Sequence, residues 1–352
     1  MRITLWIAAL GVLPGVVCAQ SGVTLYGQIG GGVRWTNGVQ GGSSVGYNNN
    51  VISGNDFAIR GKEDLGGGFT ALFVLDSAFS SGSGTLKTAG TLFSQAAYVG
   101  LAGDFGRLTF GRQFSAAVDF GIQIDPEGGR AQTLALEPGV VWSANYFQLD
   151  SRFNNTIKYL GTFGGLRVAA SYSPGGIAGN SRAGTNYSAA AMYTYQAVSG
   201  GGAYSKTYSP DGTQSAQTWM VGGTGQIGAA RIYAGYAALD VASATTARPH
   251  RRDRIPFTGI TYLATPFLQF TAAVYDDSGS NLGYVRGADG HKVTSFAVVE
   301  YFLSKRTEIY AEVDRNGFSG AYKTDPANIA AIGLRPGGSG VTGASIGLMT
   351  RF

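Results

Sequence analysis

Cysteine is nearly missing from this chain: the single copy, Cys18, lies in an N-terminal stretch that is expected to be removed. Histidine is scarce as well, and neither His250 nor His291 has the spacing of a metal site. The formal net charge is +5, yet no dense basic run with interleaved aromatics accompanies it, so nucleic acid is not an expected partner. Long apolar runs end with the N-terminal stretch, which leaves no later candidate for a membrane-spanning helix.

That stretch reads as a secretory signal peptide, residues 1–19. Arg2 supplies a short positive start, Ile3 to Val17 is mostly apolar, and Val17-Cys18-Ala19 suits cleavage after Ala19. A lipoprotein reading of Cys18 is weaker, because Val17 is larger than the residue expected before a lipidated cysteine. Residues 20–352 show no linker or composition break and are expected to form one domain. An exported domain without disulfides needs another source of stability, such as a large closed sheet.

What the chain does have is glycine (56 residues), 12% aromatics, and many short segments of alternating polarity. Val23–Trp35 places Val23, Leu25, Ile29, Val33 and Trp35 on one face and Thr24, Gln28 and Arg34 on the other. Similar runs recur in pairs, joined by turns such as Leu65-Gly66-Gly67-Gly68 and Phe163-Gly164-Gly165. The count comes to about 16 strands, an even number of the size that encloses an aqueous channel. Short turns alternate with long loops, as expected when one barrel end faces the periplasm. The expected fold is therefore all-β, a 16-stranded antiparallel transmembrane β-barrel. Tyr98, Tyr159, Trp219, Tyr262, Tyr301 and Phe352 lie near strand ends and suit an interfacial girdle.

The unit from Arg107 to Tyr159 organises the rest. Two alternating segments, Arg107–Phe114 and Arg152–Tyr159, enclose roughly 35 residues without sustained helical or strand periodicity, too many for an ordinary connection. Asp125-Pro126-Glu127-Gly128-Gly129-Arg130 lies near the middle. This third external loop is expected to fold inward, its carboxylates facing basic residues on the wall. Arg112 falls on the outward phase near mid-membrane, where a lipid-facing arginine costs about 2–4 kcal/mol. The cost disappears if that wall faces another subunit, so Arg112 is expected at the interface of a homotrimer; the alternative is a bulge that turns it into the lumen.

Several stretches resemble Gram-negative general porins, especially the β-proteobacterial type: LYG at Leu25–Gly27, IRGKEDLGGG at Ile59–Gly68, AYVGL at Ala97–Leu101, LTFGRQ at Leu108–Gln113 and LSKRTEIY at Leu303–Tyr310. Pro126-Glu127 followed by two glycines is similar to the constriction-loop motif of enterobacterial porins, and Phe352 matches the barrel-assembly signature. The resemblance implies a trimer of 16-stranded barrels whose third loop forms an eyelet. Carried over, Asp125 and Glu127 are its acids and Arg152 a wall arginine, with Arg60, Arg34 and Lys158 on lumen phases. Asp56 and Gln95 stand where the family often has arginine, which thins the basic half, and Thr350 replaces a larger residue.

Other motifs fit worse. Gly223-x-Gly225-x-x-Gly228 satisfies a dinucleotide pattern, but a strand rather than a helix is expected after it. His250 beside Arg251, Arg252 and Asp253 invites comparison with barrel-rim hydrolases, though a solvated loop accounts for it. The acidic row Glu300, Glu308, Glu312 and Asp314 is expected to line water. No catalytic residue, metal or cofactor is therefore expected. The expected function is passive diffusion of small hydrophilic solutes and ions across the outer membrane of a Gram-negative cell, with lipid and two sister subunits as partners. A substrate-specific channel is the alternative, followed by a rim enzyme or an adhesin.

Overall fold

A computed structural model describes residues 22–128, 146–148 and 150–352. The expected signal peptide lies outside the described residues, as do Gly129 and Arg130.

One antiparallel sheet contains every strand among the described residues. In chain order these begin β1 (Gly22–Val39), β2 (Gly42–Asn48), β3 (Asp56–Gly66), β4 (Phe69–Ala78), β5 (Ala96–Gly103) and β6 (Gly106–Phe114). A helix, α1 (Ala116–Ile124), follows, and then β7 (Arg152–Phe163), β8 (Leu166–Ser173), β9 (Asn186–Tyr195) and β10 (Val198–Tyr208). The series continues through β11 (Ser215–Ile227), β12 (Ala230–Val241), β13 (Arg251–Thr265), β14 (Leu268–Ser280), β15 (Gly290–Phe302) and β16 (Thr307–Phe318). A short helix, α2 (Pro326–Ile332), precedes β17 (Gly340–Arg351).

Sixteen of the seventeen strands close a barrel, because β1 pairs with β3 along Gly22–Gln28 and with β17 along Gln28–Asn37. Closure gives every ladder a partner, which lipid cannot supply. The remaining strand, β2, folds back on the outer half of β1 within the first long loop. Its Gly- and Ser-rich sequence offers only Val45 and Tyr47 as alternating apolar residues, too short a pattern for a strand to be expected there.

Period-two alternation sorts side chains between lipid and lumen. On β16, Ile309 and Val313 are exposed on the barrel exterior, while Glu308, Tyr310, Glu312 and Asp314 are buried on the interior. The tight turns at one end use glycines at positive φ, such as Gly164 at +59° and Gly228 at +58°, where a Cβ would be strained. Gly228 ends the dinucleotide-like motif in a hairpin between β11 and β12, with no helix following. No described helix is long and apolar enough to cross a membrane, which does not bear on crossing by strands.

At the other end the last long loop folds over the mouth. Leu282, Phe318, Tyr322, Leu334 and Val341 form an apolar cluster, and Leu334 bridges to Val39 of β1. Asp325 caps α2 by accepting from the Asn328 amide, with Pro326 at the first helical position.

Candidate functional site

The third long loop enters the lumen as α1, a correction to the expectation of a segment without helix. Ser115 caps it, accepting from the Val118 amide at 3.4 Å. The next free amides also find partners on the wall: Ala116 N donates to Ser171 Oγ (3.0 Å) and Ala117 N to Ser188 Oγ (3.3 Å). Phe120 and Ile124 then pack on the lumenal side chains Met192, Ala203, Met220 and Ala237. Small wall residues make the space: a Cβ on Gly222 would lie 2.8 Å from Ile124 Cδ1, and one on Gly259 would lie 2.3 Å from Pro126 Cγ. Apolar residues on both surfaces thus serve docking.

Beyond α1 the chain presents its acids to the far wall. Asp125 is the C-cap residue and accepts a hydrogen bond from the Tyr275 hydroxyl of β14. Asp125 and Glu127 are both buried. A cavity of about 650 Å³ lies against the loop tip, lined by Glu127, Arg231, Gln226, Thr261 and Gln269 among others. Arg231 was not singled out in the sequence, although its alternation with the buried Tyr233 places it on the lumenal face of β12.

The basic residues are distributed over several partners. Arg34 reaches Asp314 (2.6 Å), Glu312 (3.1 Å) and Ser345 (3.0 Å). Lys158 Nζ holds the loop root, donating to Asp119 Oδ2 on α1 at 2.8 Å and to the Phe114 carbonyl at 2.9 Å. Arg60 is exposed and lies over the Tyr26 ring, 4.9 Å from its centroid. Arg152 stacks on Phe114 at 4.4 Å and approaches Asp150 at 3.8 Å. Burial, with Arg152 nearby, lowers the Lys87 ammonium below its ordinary value. Asp56 accepts from Gln28 Nε2 at 3.1 Å, and the backbone N–H of Gln95 donates to the backbone carbonyl of Asp76. The structure therefore joins Arg34 with the acidic row and Lys158 with Asp119, while the contacts of Arg152 are Asp150, Ser151 and Phe114.

The acidic row does not simply line water. Glu308 is fully buried and takes two bonds from Arg351, at 3.1 and 3.3 Å, and Glu300 accepts from Gln269 at 2.6 Å. His250 and His291 contact Asp240 and Asp276 at 2.7 and 3.3 Å. Among the described residues no group of three or more metal-ligating side chains is found.

Arg112 has a local environment that the sequence did not reveal. The β6–β7 register shifts between Gly111 and Gln113, and Gly111 has φ +135°. Arg112 nevertheless pairs with Ala97, on the same face of β5 as the exposed Val99. Its guanidinium donates to Ser94 O (2.8 Å), Asn154 Oδ1 (2.9 Å) and Asp150 Oδ2 (2.5 Å). Partners within its own chain therefore satisfy the charge, and a second subunit is not needed for that purpose.

Comparison with known proteins agrees with this architecture. A family model described as Gram-negative porin matches residues 7–321. An outer membrane porin protein of Bordetella pertussis is 38% identical over 144 residues, which cover 36% of this chain and 37% of that protein. Outer membrane porin protein 32 of Delftia acidovorans is 36% identical over 107 residues, 30% of each chain. These alignments thus span about a third of the curated relatives' length, 37% and 30%. The fold likeness is wider: an anion-selective porin from Comamonas acidovorans superposes with a TM-score of 0.79 at 21% identity, over 95% of this chain and 100% of that one. The trimer form of OmpT from Vibrio cholerae gives 0.69 at 14% identity, over 94% and 99%. With the family model spanning most of the sequence and the closed barrel spanning the described residues, the chain belongs to the Gram-negative porin family.

Proposed function

We propose that this chain is an outer-membrane porin through which small hydrophilic solutes and ions diffuse passively, without catalysis. One observation carries the reading: α1 is docked inside a closed barrel whose exterior is apolar and whose interior is rich in bound charge. A helix inside the barrel narrows the channel without sealing a sheet edge, as a size filter requires. Asp125 and Glu127 would supply the acidic side of the narrow zone, and Arg34, Arg60, Lys158 and Arg152 the basic side, with Asp56 and Gln95 thinning it. At an effective dielectric near 20, unit charges about 8 Å apart interact by roughly 2 kcal/mol, enough to bias ion choice. Since Arg34 and Lys158 are already paired with acids, the expected anion preference is at most weak.

Trimeric assembly belongs to the same proposal, with Arg112 on the contacting wall. Support comes from its place on the exterior of β6 and from the trimer form of a similar fold. The cavity at the loop tip favours a second reading, a channel with a shallow solute site. Liposome swelling with sugars of increasing size separates these readings. Rates that fall steeply with size and do not saturate support the general pore. Saturation by one solute supports the specific channel, and absence of swelling with folded protein refutes both.

A further inference from the structure

Below the docked loop the lumen holds a charge that no described residue neutralises. Arg231 is the second residue of β12 and pairs across the sheet with Gln226 on one side and Thr261 on the other. Alternation with the buried Tyr233 turns it inward, where it lines the cavity of about 650 Å³ at the loop tip. Its guanidinium donates to Thr224 Oγ1 at 3.1 Å and lies over the Tyr233 ring, 5.4 Å from the centroid. These two contacts orient the group, and it has no ion pair among the described residues.

The same cavity has an apolar side. Leu263 lies on its lining and is 44% exposed, whereas Ile255 and Phe257, on the same inward face of β13, are buried. A bond from the Leu263 amide to the Ala229 carbonyl (3.0 Å) ties that residue to the turn preceding Arg231. Ile122 of α1 and Met192 of β9 complete the apolar side. Apolar surface left open to water beside a guanidinium fits a ligand with one charged end and one apolar end.

The ligand's charge is set by the opposite side of the cavity. Asp125 and Glu127 lie there on the loop, so a second negative group on the ligand would meet them. A phosphate monoester, which carries nearly two charges, is disfavoured for that reason. A carboxylate carries one charge and matches the planar guanidinium with two parallel bonds.

We propose that Arg231, with Leu263, Ile122 and Met192, binds small monocarboxylates that carry an apolar body. This rests on the solute-site reading above and names its ligand class. Single-channel currents of the purified protein are recorded in potassium chloride with phenylacetate, acetate or phenethyl alcohol added. Phenylacetate is expected to block the current saturably, and the other two far more weakly. Arg231→Gln should weaken that block about ten-fold, the loss of a charge-assisted contact. Leu263→Ser should weaken it about five-fold, the loss of part of an apolar side chain's burial. Both side chains are exposed, so folding is retained, and unchanged migration of the unheated protein on gels checks this. Arg167→Gln removes a lumenal charge outside the cavity and should leave the block nearly as it is. Equal block by acetate or phenethyl alcohol overturns the two-ended site, as does full block in Arg231→Gln or an equal loss in Arg167→Gln. Saturating block by a sugar but not by phenylacetate keeps a solute site and overturns this ligand class. A conducting channel that no solute saturates overturns the solute-site reading itself, and this proposal with it.

Discussion

Lys158→Ala is the most informative change to the inward loop. The ammonium holds two parts of it at once: the Phe114 carbonyl where β6 ends, and Asp119 in the first turn of α1. Losing one partner of a buried ion pair costs about 3–5 kcal/mol. Asp119 keeps 19% side-chain exposure, so water recovers part of that loss. A cost of about 2 kcal/mol remains, which makes undocked excursions of the loop root about 30 times more frequent. The Ser171 and Ser188 contacts and the packing of Phe120 and Ile124 are retained, so α1 stays docked most of the time. Single-channel records should therefore show new brief substates and excess open-channel noise, with the main conductance nearly kept. Asp119→Ala should give the same noise, and the double variant should add little. A quiet trace in Lys158→Ala, or independent effects in the double variant, would refute the idea that this pair anchors the constriction.

Arg34→Ala leaves Glu312 and Asp314 buried without their arginine, and should shift reversal potentials in a salt gradient toward cations at neutral pH, an effect that acid should suppress. Unchanged selectivity would place this cluster away from the ion path. Tyr322 donates into the pair Asp253 and Asp277, and burial together with those carboxylates raises its hydroxyl well above its ordinary value. For such a group the contribution to stability is complete below the unfolded value near 10 and declines as pH rises above it. Proteolysis of loop 319–339 should therefore accelerate above about pH 10 in wild type, and Tyr322→Phe should remove that step; a step unchanged in the variant would assign it elsewhere.

The wall was legible because a barrel imposes the same rule on every strand. β8 (Leu166–Ser173) begins directly after the turn Phe163-Gly164-Gly165 that the sequence marks, since lipid and lumen enforce alternation on either side of it. The pieces inside and above the barrel were harder to read. The apolar positions of α1 face an apolar patch of wall, so no amphipathic stripe stands out, although Ser115 and Asp119 were usable start signals. The start of α2 was marked by Asp325-Pro326 and passed over in a loop of low periodicity. Site partners were least legible because they are fixed by contacts across the sheet. Arg34 meets residues 278 and 280 positions away, and Arg112 is satisfied by Asp150 and Asn154 on the far side of the third loop. Alternation states which face a charge is on, and it does not identify what neutralises it.

The central claim is an open channel narrowed by a loop docked within the barrel. Single-channel recording of the purified wild-type protein in potassium chloride, repeated with neutral polymers of graded size, tests it most directly. Stable ohmic steps are expected, with polymers above one sharp size threshold failing to reduce conductance and Gly222→Leu, which crowds Ile124, shifting that threshold. No conductance from correctly folded protein, or a threshold indifferent to Gly222→Leu, would contradict the account.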